Sequence, residues 1–96
     1  MRKIESDMLQ AIKDGKEFIR DNTAVIITDH IGNPYLYATI YLHNNLIAEI
    51  DRNGVVHCNL TTFKRFPTRT TCSRLRALGI GAHLVKGKPC IDGKAI

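Results

Sequence analysis

From Tyr35 to Leu42 the chain alternates without a break, with Leu36, Ala38, Ile40 and Leu42 on one side and Tyr35, Tyr37, Thr39 and Tyr41 on the other. Period two is the repeat of a β-strand that buries one face. Such a strand also constrains its neighbours, because a slip of one residue exchanges the two faces. With His43, Asn44 and Asn45 as a three-residue turn, Leu42 pairs with Leu46, Ile40 with Ala48 and Ala38 with Ile50. Asp51-Arg52-Asn53-Gly54 suits a type I turn with Gly54 left-handed, which sets Ile50 opposite Val56, Ala48 opposite Cys58 and Leu46 opposite Leu60. On the other flank, Thr23 to Thr28 is β-branched and bounded by Asp29, Gly32, Asn33 and Pro34, so it reads as a strand and turn. The expectation is a four-stranded antiparallel meander with one continuous apolar face, which helices must cover.

Two segments can supply that cover. Ile4, Met8, Ala11 and Ile12 recur at helical spacing, with Gly15 as the C-terminal stop and Lys16 to Asn22 as a connection. A second helix runs from Thr68, after Pro67, to Leu78, before Gly79 and Gly81. Its buried stripe is Thr71, Cys72, Leu75 and Leu78, while Arg69, Ser73 and Arg76 share another side and Arg74 lies beyond the stripe's opposite edge. Ala82 to Lys86 and Pro89 to Ile91 form a short terminal hairpin across Gly87-Lys88, followed by a turn at Asp92-Gly93. The fold class is α+β: N-terminal helix, four-stranded antiparallel meander, second helix packed on one face of the sheet, and a short C-terminal β-hairpin.

Residues 1–96 make a single α+β domain with one modest core. Three widely spaced cysteines, Cys58, Cys72 and Cys90, argue against a disulfide framework and for a reducing compartment such as the cytosol. The longest strictly apolar run is Ala24 to Ile27, and the N-terminus has no hydrophobic signal core, so a soluble, unprocessed chain with no membrane partner is expected.

Charge is distributed unevenly. From Thr61 to Ile96 stand eight Lys or Arg and one acid, Asp92, whereas residues 1–60 hold six basic and eight acidic side chains. The net charge of +5 therefore resides in the C-terminal part. Sign asymmetry of this kind suits a polyanionic partner, and equally a solvated basic face that keeps a small domain soluble. Lys64, Arg65, Arg69, Thr70, Arg74, Arg76, Lys86 and Lys88 are the candidate phosphate contacts. Arginine forks onto phosphate oxygens, and threonines at a helix start add hydroxyl donors, although a plain helix cap uses the same threonines. Phe63 and Phe66 read as core residues. A helix-turn-helix is rejected because extended residues precede the arginine-bearing helix.

On the outer face of the meander, Tyr37, Tyr41 and Ile47 form a candidate interface patch. Cross-strand tyrosine pairing explains them without a ligand, and base stacking is a third alternative. Glu49 beside His57 could make that row pH-sensitive. Cys58, Cys72, Cys90, His57 and His83 lack the short paired spacing of a metal site. No nucleophile or phosphate-loop motif occurs, so no catalytic residue, metal or cofactor is expected.

The hairpin Tyr41-Leu42-His43-Asn44-Asn45-Leu46-Ile47-Ala48 and the helix Thr68-Arg69-Thr70-Thr71-Cys72-Ser73-Arg74-Leu75-Arg76-Ala77-Leu78 carry the patterns "YLHxNLIA" and "TxTTxSRLxAL". In these the chain resembles small accessory proteins of short-tailed bacteriophages. The resemblance covers about a third of the chain, brings no catalytic residues, and implies a phage accessory product acting in the bacterial cytoplasm. The leading expectation is a non-enzymatic module that binds DNA or RNA phosphates with weak sequence preference. The alternative is a protein-directed inhibitor of a host enzyme or defence system, and a homodimer through the sheet face is compatible with either.

Overall fold

The computed structural model describes residues 1–28 and 34–96. Its elements run α1 (Lys3–Asp14), β1 (Phe18–Arg20), β2 (Thr23–Ile27), β3 (Leu36–Leu42), β4 (Asn45–Asp51), β5 (Val56–Cys58), α2 (Leu60–Arg65), α3 (Arg69–Ala77), β6 (Ala82–Val85), β7 (Lys88–Ile91) and β8 (Lys94–Ala95). Strands β1 to β5 form one antiparallel sheet in chain order, and β6 to β8 form a second, three-stranded one. The α+β architecture and the meander are as expected, with β1 added at the edge. A tight turn at Asp21-Asn22, where Asp21 takes φ 53°, folds Phe18–Arg20 back onto β2. The turn expected over Asp29 to Asn33 lies outside the described residues.

Two β-bulges revise the central hairpin. His43 and Asn44 both take positive φ, 51° and 64°, so the turn has two residues and not three. Leu42 then pairs with Asn45 and Tyr41 with Leu46. Continued without a break, that register would set Glu49 against Ala38 on the core side. Ile47 is instead bulged out of the ladder, which brings Ala48 opposite Ile40, Glu49 opposite Thr39 and Ile50 opposite Ala38. A second shift at Tyr37 follows before Leu36 meets Asp51. Each bulge places two successive residues on the same side, so Ile47 is buried beside Ala48, and Tyr37 reaches the helical layer beside buried Ala38. The Asp51–Gly54 turn is as expected, with Gly54 at φ 85° and the pairs Ile50 with Val56 and Ala48 with Cys58.

The expected pairing of Leu46 with Leu60 does not form, because the chain turns into a helix there. Asn59 caps α2, its side-chain oxygen accepting from the Thr62 amide at 3.0 Å. The segment before α3 is thus a six-residue helix, not an extended run. It does not restore a helix-turn-helix, since Leu75 and Arg74 turn α3 into the core and the β6–β7 hairpin packs against it.

The core lies between the first sheet and the helices. Val25, Ala38, Ile40, Ile47, Ala48 and Ile50 meet Met8 of α1, Phe63 of α2, and Cys72 and Leu75 of α3. Each large side chain buried this way contributes roughly 1.5–3 kcal/mol relative to exposure. Phe63, 1% exposed, is a core residue as expected, whereas Phe66 is 38% exposed.

Candidate functional site

Helix α3 begins where Thr68 caps it, the Thr68 hydroxyl accepting from the Thr71 amide at 3.1 Å. The expected stripe of Thr71, Cys72, Leu75 and Leu78 is buried. Arg69, Ser73 and Arg76 follow one another along a different side, one turn apart. The β6–β7 hairpin leans over that side because Ala82 is fully buried and Leu84 packs on the same core. Arg76 is tied to it, donating from Nη1 to the Ala82 carbonyl at 2.9 Å.

An open cleft of about 610 Å³ results between α3, the hairpin and the residue preceding α1. Arg2, Arg69, Arg76 and His83 line it, together with Cys72, Ser73, Leu84 and Gly87, and among the described residues no carboxylate does. Gly87 sits in the β6–β7 turn between Lys86 and Lys88, both exposed, so two more cations border the opening. A guanidinium has five N–H donors, and Arg76 keeps most of its own for a ligand after the bond to Ala82. Burial pushes the Cys72 thiol up, although the Arg76 charge opposes this, so it remains a protonated packing residue and not a nucleophile.

Arg74 has a different environment. It is 3% exposed, and its Nη1 donates to the Glu5 carboxylate at 2.8 Å while its Nε donates to the Thr23 hydroxyl at 3.0 Å. Glu5, itself 2% exposed, also accepts from the Ser73 hydroxyl at 2.5 Å and from the Arg2 backbone amide at 3.3 Å. Burial alone would raise the Glu5 pKa. The hydrogen bonds from Ser73, Arg74 and Arg2, with the Arg74 charge, outweigh that and hold it below the ordinary value. Arg74 is therefore not a surface phosphate contact but the centre of a buried network that fastens α1 and β2 to α3.

The remaining expected residues disperse. Lys64 and Arg65 are exposed on α2, and the Arg65 guanidinium lies 5.4 Å from the Phe66 ring centroid. Thr70 faces a separate pocket on the other side of the first turn of α3. Of the interface triad only Tyr41 stays on the outer sheet face, as Ile47 is 2% exposed and the Tyr37 hydroxyl donates to the Ile12 carbonyl at 2.6 Å. His57 stands opposite Glu49 in the expected row, while its ring nitrogen meets the Asp51 carboxylate at 3.0 Å, and this contact, with the Val55 and Asn53 amides, holds the Asp51 carboxyl below its usual range. Arg2 was not anticipated, because no local pattern connects it to residues that lie far along the chain. His83 was visible only as a lone ligand-type residue. Among the described residues no group of three or more His, Cys, Asp or Glu converges on a metal position.

The family model of the Kyanoviridae Gp96 protein matches residues 1–92, which spans every element from α1 to β7. The chain belongs to this family. No curated protein and no solved structure matches it. The phage origin implied by the sequence patterns therefore stands, while the tail type is corrected, because Kyanoviridae are phages with long contractile tails. Both the cleft and the Glu5–Arg74 network fall inside the span matched to the Gp96 family. Among the described residues no helix is long and apolar enough to cross a membrane.

Proposed function

We propose that this phage protein is a non-enzymatic nucleic-acid-binding module acting inside the host cell, and that its phosphate contacts are made in the cleft by Arg2, Arg69 and Arg76. The observation that carries this reading is the convergence of three arginines and His83, beside a turn bearing Lys86 and Lys88, in a cleft that no carboxylate among the described residues lines, the nearby Glu5 being engaged by Ser73 and Arg74. Phosphate recognition needs such forked donors and fixes register without reading sequence.

Fluorescent single- and double-stranded oligonucleotides across a salt series test it. Log affinity should fall against log salt by about 0.9 per phosphate neutralised on duplex and about 0.7 on single strands. Changing Arg2, Arg69 and Arg76 together to Ala should flatten the slope by about two to three units. Salt-independent binding, or no binding at low salt, would refute the reading.

A second reading, docking on a host protein or on a second copy, rests on the outer sheet face. Ile19, Ala24, Tyr41 and Leu46 form one row across four strands there, and Ile19 is 75% exposed. Ile19→Glu would disrupt such an interface and leave oligonucleotide binding intact.

A further inference from the structure

A second pocket, of about 350 Å³, opens where the β3–β4 turn approaches the α2–α3 junction. Its apolar wall is Leu42, Ile47 and Phe66, and its polar groups include His43, Asn45 and Thr70. The volume is near the lower end of the roughly 300–1,000 Å³ found for small-molecule sites, suiting one ring system more than an extended chain.

The wall exists because the bulge in β4 turns Ile47 inward and because Phe66, with Arg65 over its ring, stays 38% exposed. The hydroxyls of Thr68 and Thr71 are engaged with each other at 2.9 Å. Thr70 Oγ1, Asn45 Oδ1 and the His43 ring make no side-chain hydrogen bond to the described residues. A flat apolar surface with both donors and acceptors at its edge suits a heterocycle better than an aliphatic chain.

Charge identifies what the heterocycle is attached to. Among the described residues no acid, Lys or Arg lines this pocket, which suits an occupant that is neutral there. Cations flank it closely: Arg65 stands over the Phe66 ring, and Arg69 lies between Thr68 and Thr70 in the chain. Arg69 also lines the basic cleft, so the first turn of α3 separates the two cavities. A ligand that spans them has an uncharged ring joined to anionic groups.

We propose that this pocket takes one unstacked nucleobase of a single-stranded nucleic acid, with the adjoining phosphates on Arg65 and Arg69. The inference rests on the nucleic-acid reading and narrows it, since a base held in a duplex cannot enter the pocket.

The test compares one 12-mer as single strand, as duplex and as an abasic single strand, together with free nucleoside 5′-monophosphates. Each is titrated against the native chain, Phe66→Ala and Thr70→Val, with thermal melting confirming that both variants fold. Single strand should bind more tightly than duplex, and the abasic strand should be weakened. Phe66→Ala should lower single-strand affinity about tenfold, the typical worth of one stacked base, without changing the salt slope or duplex affinity. Thr70→Val should cause a smaller loss in the same direction and keeps the test informative if Phe66→Ala unfolds. Equal affinity for the intact and abasic strands, unaffected by either variant, would overturn the nucleobase site and leave phosphate binding in place. Binding of mononucleotides without oligonucleotides would overturn both, and assign the pocket to a free nucleotide. Binding of neither also overturns both.

Discussion

Arg74 and Arg76 lie two residues apart on one helix, yet they occupy opposite kinds of environment. One is 3% exposed with its guanidinium held by Glu5 and Thr23, and the other borders an open cleft with Arg2 and Arg69. The contrast shows that a count of positive charge overstates what a partner can reach. It also shows a dependence, because Glu5 accepts the Arg2 amide as well as the Arg74 guanidinium. The buried arginine thus fixes the start of α1 against α3, and with it the position of Arg2 at the cleft.

The comparison breaks most visibly at Arg74. Arg74→Ala leaves the Glu5 carboxylate buried without its cation and should cost about 3–5 kcal/mol, read as a fall in denaturation midpoint. Replacing both partners by Met should recover much of that loss, since an apolar pair needs no desolvation of charge. Arg69→Ala and Arg76→Ala, by contrast, should each change stability by only a few tenths to about 1 kcal/mol while weakening oligonucleotide binding. A stable Arg74→Ala variant that loses binding would reverse the assignment of the two arginines.

Acid should expose the same difference without mutation. The Glu5 pKa is lower in the folded than in the unfolded chain, so the stability it contributes is fully present above its ordinary value of 4.5. It is lost as pH falls through the depressed folded value. Melting temperature in the native chain should therefore drop below about pH 4.5, and the Glu5→Met, Arg74→Met double variant should lose less over that window. An identical pH profile for the two would remove Glu5 from the account.

How much of this was legible in sequence follows the range of the interactions. The strand Leu36–Leu42, the Gly54 turn and the stripe of α3 are set by neighbours within a few residues, and period and turn chemistry revealed them. The hairpin at His43-Asn44 was misjudged by one residue, since three-residue and two-residue turns both satisfied the apolar pattern once a bulge was allowed. That single difference removed Ile47 from the outer face. Arg74 was misassigned for another reason: its partners Glu5 and Thr23 lie on the first helix and the second strand, and a helical wheel contains no information about them. The arginines Arg69 and Arg76 were visible as a pair, whereas their convergence with Arg2 depends on docking of α1.

The smallest expected effect concerns the other end of α1. Tyr37 reaches the helix because it is bulged out of β3, and its hydroxyl donates to the Ile12 carbonyl at 2.6 Å near the end of α1. Gly15 closes the helix at φ 65°, and a Cβ added there would meet the Tyr37 hydroxyl at 3.3 Å. Tyr37→Phe keeps the ring and removes only the donor, so it should cost about 0.5–1.5 kcal/mol. Because α1 would stay fastened at Glu5, oligonucleotide affinity should not change. A loss of binding in Tyr37→Phe at unchanged stability would instead mean that the tyrosine contacts the ligand, and would return the outer-face reading of Tyr37 to consideration.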